Sequence, residues 1–525
     1  MAEFEFTRDE LEQIKSHGLS VEEVYQQIEI FKKGTPYLPL DRPCTVGDGI
    51  KQPDADLKAK CLETYRQAAV KKNLLKFVPA SGAATRMFKT LIKANQRYDR
   101  IGISDVEAGI LDDAAEAEEI RTFIKGLPQF AFFADLAAVM QQDGLNPDAL
   151  LQKGEFKPFL QYLLTEKGLD YGAKPKGLLK FHAYPEKSRT AFEEHLFEAA
   201  GYGKTAAGDC ALHFTVSPEH QKGFETLLES VREQFEKRLE ASFSVDFSVQ
   251  AAETDTIAVD MDNKPFCRKD GSLLFRPGGH GALIQNLNRL AGDLVFIKNI
   301  DNVVHDRFKA ETIEWKQILC GYLLIIQEQI SGYIRALSQG PPETGVIEEI
   351  TGFIESELSI IPPKNFYGKN AEEKRRYLLD RLNRPIRVCG MVPNSGEPGG
   401  GPFWVKDKDG HTAIQIVETS QIDPDDAGQQ KIQQGLTHFN PVDLVCSTRD
   451  INGNPFDLSR YVDTDAVFIA YKSEDGRDLK ALEHPGLWNG AMAYWNTVFV
   501  EVPLITFNPV KRVTDLLRRP HQPED

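Results

Sequence analysis

The 525-residue sequence has no C-x-x-C pair; its seven cysteines (Cys44, Cys61, Cys210, Cys267, Cys320, Cys389 and Cys446) are dispersed and odd in number. That excludes a clustered zinc or dithiol motif and reads as reduced, mostly buried thiols in a cytosolic protein. Long hydrophobic runs are also missing. The most apolar window, Ile318 to Ile326, is too short to span a bilayer and meets Gln327 and Glu328 at once. The opening MAEFEFTRDELEQIK is acidic and polar, without the basic-then-apolar pattern of a secretory signal. Positive charge is in deficit: 62 Lys+Arg against 78 Asp+Glu leave a net charge of −16. This argues against a nucleic-acid backbone as the main partner, while leaving room for a local basic pocket that takes a phosphorylated small molecule. Neither G-x-S-x-G nor H-E-x-x-H occurs, and the 11 histidines are scattered, which leaves serine- and metallohydrolase readings without support. The expectation is a cytoplasmic protein with no membrane or nucleic-acid partner.

The hydrophobic fraction is 41%; counted with Gly and without Tyr it is roughly 46%, inside the globular range of about 45–50%. A disordered chain, a collagen and a coiled-coil rod are thereby excluded. Leu11, Ile14, Val21, Val24, Ile28 and Phe31 have helical spacing and lead into a Pro-rich stretch, Pro36 to Pro43, predicting an N-terminal helical arm over 1–72. Strands are expected at Leu74 to Pro79, Leu178 to His182, Ala211 to Val216, Phe243 to Val249 and Asp293 to Ile300, alternating with helices such as Gln221 to Ala241. From residue 386 onward strands are expected at Arg387 to Met391, Thr412 to Val417, Val442 to Cys446, Ala466 to Ala470 and Phe499 to Val502. Such alternation predicts an α/β fold, a three-layer sandwich with a mixed, mainly parallel sheet. The core is expected over 73–517, with helical insertions at 90–171 and 305–382 and a tail at 518–525. The acidic run Asp112 to Glu119 reads as a solvated helix face.

Three stretches could carry chemistry. In Ser81-Gly82-Ala83-Ala84-Thr85-Arg86-Met87-Phe88-Lys89, small residues after a strand let backbone N–H groups approach phosphate, and Arg86 and Lys89 can neutralise a polyphosphate; the bland alternative is a tight strand-to-helix turn. In Pro175-Lys176-Gly177-Leu178, a Pro-held lysine before a strand can project its ammonium toward phosphorus, or be a solvated turn lysine. In Pro277-Gly278-Gly279-His280-Gly281, the glycines permit a flat backbone surface for a base or sugar ring. Beyond the apolar run Asp293 to Ile300 stands Asp301, at the sheet edge where α/β folds place ligands. It is a candidate Mg²⁺ ligand, or a helix cap.

Taken in order, these elements resemble the sugar-nucleotide pyrophosphorylases, in particular the branch that makes UDP-sugars, of the nucleotide-diphospho-sugar transferase superfamily. The resembling segments are Gly82–Arg86, Pro175–Leu178, Gln250, Pro277–Gly281, Ile300–Asn302, Glu397–Gly400, Ile416–Glu418, Phe439–Asp443 and Thr506–Lys511. The likeness implies a glycosyltransferase-A-like fold and an Mg²⁺-dependent nucleotidyltransferase, which joins a UTP-like nucleoside triphosphate to a sugar-1-phosphate and releases pyrophosphate. On that basis Arg86, Lys176 and Lys511 act on the phosphates. Ser81, Gly82, Ala83, Thr85, Lys89, Gln250, Gly278, Gly279 and Gly281 bind the nucleotide. Glu418 and Asn440 hold the sugar, and Asp301 and Asp443 ligate Mg²⁺. The chain departs from the pattern in having Gly82-Ala83-Ala84 where the family has two glycines before Thr-Arg, and in the residues 90–171 that separate this loop from Pro175-Lys176. An outlying family is therefore expected. Two alternatives stay open: a nucleotide- or sugar-phosphate-binding protein that has lost transfer chemistry, and transfer to a non-sugar phosphate acceptor.

Overall fold

The computed structural model describes residues 5–34, 36–102, 113–340, 343–396, 400–407, 410–440 and 442–524. The sugar-holding segment expected at Glu397–Gly400 falls outside these except for Gly400, as do Asp112 of the acidic run and Pro441. The chain divides into two compact units. Unit 1 comprises Met1–Leu75, Ser248–Ile297 and Lys316–Leu504; unit 2 comprises Lys76–Phe247, Lys298–Trp315 and Ile505–Asp525.

Unit 1 is built on mixed sheets. One contains, in spatial order, Thr45–Val46, Gly49–Lys51, Asn496–Glu501, Ile386–Pro393 and Asp443–Ser447. Its first four strands are parallel neighbours, and Asp443–Ser447 runs antiparallel to Ile386–Pro393. Ile386–Pro393 is buried at seven of its eight positions, which is why it is apolar apart from Arg387. Two four-stranded sheets are antiparallel at every recorded pair. They include Gly401–Lys406, Asp255–Val259, Phe275–Pro277 and Arg477–Glu483, none of which periodicity predicted. The large sheet is mixed as expected, with parallel pairing among its first four strands and antiparallel pairing of Ile386–Pro393 with Asp443–Ser447, whereas the two smaller sheets are antiparallel. The N-terminal helices Arg8–Ser16 and Val21–Lys33 share one core with these strands: Ile14, Val24, Ile28 and Phe31 pack with Ile257, Val259, Leu273 and Phe275.

In unit 2 the strands Leu74–Pro79, Asp209–Thr215 and Ser242–Ser248 follow one another in the sheet. Helices Lys89–Arg97, Phe133–Gln142, Lys157–Leu164, Ala191–Tyr202 and Pro218–Leu239 bring Leu91, Leu136, Phe159, Phe192, Leu196 and Phe224 into one apolar cluster with Val78, Leu212 and Phe214. The described part of the 90–171 insertion thus supplies much of this unit's core. The tail is also held: His521 is buried, and His305 N–H donates to Pro520 O at 2.9 Å. Among the described residues no single helix is long and apolar enough to cross a membrane; Ile318, Leu319, Leu323 and Ile326 lie buried in the helix Asp306–Ser338.

Candidate functional site

Strands Leu74–Pro79 and Asp209–Thr215 finish side by side, with Ala80 N–H donating to Thr215 O at 2.8 Å. Four loops of unit 2 meet at this edge, tied by backbone hydrogen bonds. Ala84 N–H donates to Lys174 O at 3.1 Å and Lys176 N–H to Gly82 O at 3.3 Å, joining the Ser81–Lys89 loop to Pro175-Lys176. Val510 N–H donates to Asp301 O, and Val513 N–H to Met87 O, both at 3.2 Å, which brings in the other two. Gly177 is required by this packing, since a Cβ there would meet the Phe224 ring at 2.5 Å.

The side chains follow. Lys176 Nζ donates to Asp301 Oδ2 at 2.6 Å and to Val510 O at 2.7 Å, with both charged side chains about 15% exposed. Ser81, Gly82, Ala83, Thr85, Arg86, Lys89 and Lys511 are exposed. No hydrogen bond or ion pair among the described residues engages Arg86 or Lys89. Space around Gly82 is open: a Cβ added there would meet nothing within 4 Å. Asp515 Oδ2 accepts from the N–H groups of Lys511 and Arg512, at 2.8 and 2.7 Å, and so fixes the turn that carries Lys511. One partly buried lysine–carboxylate pair with the uncommitted side chains of Arg86 and Lys89 beside it suits a polyanion.

Unit 1 holds the remaining expected residues. His280, stacked on Trp488 at 5.1 Å between ring centroids, is held below the usual imidazole range by burial, opposed by Glu418 and Glu483. Glu418 and the Pro277–Gly281 segment therefore share one neighbourhood. The glycines there serve packing: a Cβ at Gly278 would strike His484 and Thr254 O, and one at Gly281 would strike Pro485 O. This differs from the flat, ligand-facing surface expected of them. Gln250 lies just past strand Ser242–Ser248, and its Nε2 has no hydrogen-bond partner among the described residues. Asn440 is buried, and its Oδ1 accepts from Val442 N–H at 3.0 Å, beside a left-handed Val442 (φ 50°). Asp443 departs from its expected role. Its carboxylate is about 1% exposed and ion-paired with fully buried Lys316, so a lysine ammonium stands where a hydrated metal would have to enter.

A family model described as a domain of unknown function, DUF4301, matches residues 7–522. The chain belongs to that family. No curated protein matches it. Solved structures to which this DUF4301 chain is similar are UDP-sugar pyrophosphorylases. The Trypanosoma brucei uridine diphosphate N-acetylglucosamine pyrophosphorylase, in complex with inhibitor, shares 13% identity over 98% of this chain and 79% of that one, with a TM-score of 0.48. A point mutant of the Leishmania major UDP-glucose pyrophosphorylase, in complex with UDP-glucose, shares 12% over 98% and 79%, with a TM-score of 0.44. The T. brucei UDP-glucose phosphorylase shares 11% over 98% and 80%, with a TM-score of 0.43.

The DUF4301 chain also contains a charged group that motif reading missed. Helix Ala191–Tyr202 begins with a Thr190–Glu193 capping box and carries Glu193, Glu194, His195 and Glu198, all buried. Glu198 binds Lys76 at 3.1 Å and Lys298 at 2.9 Å. Burial opposes its ionisation, but the two lysines win and hold it well below the carboxylate range. Burial pushes Lys76 down to about 8, with Glu198 acting the other way. Glu194 meets His182 Nδ1 at 2.8 Å, Arg189 at 3.4 Å and Lys309. Lysines inside otherwise apolar strands, Lys76 in LLKFVP and Lys298 in LVFIK, were the available signal: a buried ammonium demands a buried carboxylate.

For Mg²⁺, no group of three His, Cys, Asp or Glu side chains that could hold an ion exists among the described residues. Mg²⁺ typically takes only one or two carboxylates plus substrate phosphates; of the two expected ligands Asp301, 16% exposed, is the one that reaches the surface, and Lys176, bonded to its Oδ2 at 2.6 Å, would have to share that carboxylate with the ion.

Proposed function

We propose that this protein is a nucleotidyltransferase of glycosyltransferase-A-like type that joins a UTP-like nucleoside triphosphate to a sugar-1-phosphate, giving an NDP-sugar and pyrophosphate. The observation that carries the reading is the meeting, within unit 2, of the Ser81–Lys89 loop, Lys176, Asp301 and the Lys511 turn, four segments drawn from across the sequence. Their order along the chain supports it, being the order in the pyrophosphorylases that the sequence resembles.

A non-bridging oxygen of the sugar phosphate attacks the α-phosphorus; the new P–O bond forms as the bond to the β-phosphate oxygen breaks and pyrophosphate leaves. No general base is needed, because a phosphate monoester is already anionic at pH 7. The protein's task is positioning and charge neutralisation. Arg86 and Lys89, uncommitted in the structure, hold the β- and γ-phosphates. Lys176 contacts the α-phosphate or the sugar phosphate, exchanging part of its interaction with Asp301 for the substrate. Lys511 binds the acceptor phosphate. Mg²⁺, held by Asp301 and substrate phosphates, would supply further neutralisation of developing charge. The resemblance gives the sugar hydroxyls to Glu418 and Asn440.

The test is pyrophosphate release by the purified chain, with Mg²⁺ and each of the four NTPs, against a panel of sugar-1-phosphates. At least one combination should turn over, and mass spectrometry of the product identifies it; absence of turnover with every combination overturns the reading. Asp301→Ala should lower the rate by about 10²-fold or more, the scale of losing a charge-stabilising group, while circular dichroism stays native. An unchanged rate removes Asp301 from the site.

A further inference from the structure

The segment Thr506–Lys511 carries one of the cations assigned above, and only its first residue lies in a helical turn, Leu504–Thr506. Its register against the Asp301 loop is set by isolated contacts instead of a strand. Val510 N–H donates to Asp301 O at 3.2 Å, and Asn302 forms a single antiparallel bridge with Pro509. Both segments belong to unit 2.

Asn302, next to Asp301, is 1% exposed and spends its whole amide on the other segment. Its Nδ2 donates to Thr506 O at 3.1 Å, and its Oδ1 accepts from Asn508 N–H at 2.8 Å. A carbonyl only accepts and a backbone N–H only donates, so these partners fix which end of the amide is which. An ionised aspartate in this place would have no donor, and a serine would be too short to serve both groups. The turn that carries Asn302 is itself braced: Asn302 N–H donates to Asn299 O at 3.2 Å, and the buried His195 Nε2 meets Ile300 O at 3.1 Å.

Lys176 ties the same two segments in a different way, with its Nζ on Asp301 Oδ2 at 2.6 Å and on Val510 O at 2.7 Å. In the reaction above Lys176 trades part of that interaction for a phosphate, so this tie is weakest when the substrates are in place. The Asn302 bonds come from a buried, uncharged side chain to backbone groups and need not be traded for a phosphate. We propose that Asn302 is a positioning residue, a role that rests on the nucleotidyltransferase reading above: its amide holds Thr506–Lys511 in register with Asp301, so that the Lys511 ammonium stays at the acceptor phosphate while Lys176 turns to the substrate.

A double-mutant cycle on the full chain tests this, read as kcat/KM for the sugar-1-phosphate with the substrate pair that turns over fastest. Lys511→Ala should lower kcat/KM by about tenfold or more, chiefly through KM, as expected for a lost charge at a phosphate. Asn302→Ala should lower it by about tenfold in the parent, the cost of a misplaced binding group. In the Lys511→Ala background the same change should cost less than about threefold, because the cation it positions is already gone. A residue that only stabilises the fold would cost the same factor in both backgrounds. If the alanine variant fails to fold by far-UV circular dichroism, Asn302→Ser, which keeps one of the two hydrogen bonds, takes its place in the cycle. Equal factors in the two backgrounds, or an unchanged kcat/KM in a folded Asn302 variant, would overturn the positioning role and leave the reading of the reaction intact. Absence of turnover in the parent overturns that reading, and an unaffected Lys511→Ala removes Lys511 from it; the positioning role falls with either.

Discussion

Lys76 and Arg86 stand ten residues apart in unit 2, one within strand Leu74–Pro79 and the other on the loop that leaves it, yet their surroundings are opposite. Lys76 is fully buried, bonded to Glu198 and to His195 O, and shares that carboxylate with Lys298. Arg86 is exposed and engages no carboxylate among the described residues. A buried cation without a partner is too costly to keep, so the fold has supplied one. An exposed cation carries little such cost and can wait for a ligand. Charge inside this unit is committed to structure, and charge on its loops is available for chemistry.

The sharpest way to break that contrast is to remove Glu198. Glu198→Ala leaves two lysine ammonium groups buried without their carboxylate, and should destabilise the chain by about 3–5 kcal/mol. Chemical denaturation followed by far-UV circular dichroism measures it. A loss below about 1 kcal/mol, the scale of an exposed pair, would mean that water reaches the group and that the interior and loop charges are not different in kind.

Acid should act on the same interior next. His182, His195 and His521 are each held below the ordinary imidazole range, chiefly by burial. A base whose folded pKa is depressed stays neutral in the fold but takes up a proton when unfolded, so stability falls as pH drops below the unfolded value of about 6.5. Each imidazole that stays neutral should cost roughly 1 kcal/mol between about pH 7 and 5.5. Glu194 and Glu198 have depressed folded values, so their contribution persists there and is lost only below the unfolded carboxylate range. Denaturation midpoints at the two ends of that window check the sign; a midpoint that rises on acidification contradicts it.

What could be read from the sequence divides along the same line. Ser81–Arg86, Pro175-Lys176 and Asn508–Lys511 announce themselves because a loop's conformation and chemistry rest on adjacent residues: glycine or proline for the turn, a cation for the ligand. The helix Ala191–Tyr202 does not. Glu193, Glu194, His195 and Glu198 spread around its circumference and would ordinarily mark a solvated surface. Their partners Lys76, Lys298 and Lys309 come from three separate segments, a tertiary fact that no local window contains. Asp443 shows the converse: its Asn-Pro-Val-Asp surroundings resemble a motif, but position in a fully buried strand pairs it with Lys316. Of the antiparallel sheets, Thr412–Val417 is legible from its apolar run, whereas strands such as Phe275–Pro277 are too short to show alternation.

The smallest expected stability effect is the most informative about the loops. Lys89 opens helix Lys89–Arg97 at its first turn, where a positive side chain is mildly unfavourable to the helix dipole. Lys89→Ala should therefore leave stability within about 0.5 kcal/mol of the parent, as for surface substitutions generally, and the change should be neutral or slightly stabilising. If its ammonium holds the outer phosphates, the same substitution should raise the apparent KM for the nucleoside triphosphate several-fold and flatten the dependence of KM on salt, since one screened attraction is gone. Denaturation and steady-state kinetics on one preparation separate the two roles. A KM unchanged across ionic strength would return Lys89 to the ordinary solvated surface and leave Arg86 as the loop's only side-chain cation for the polyphosphate.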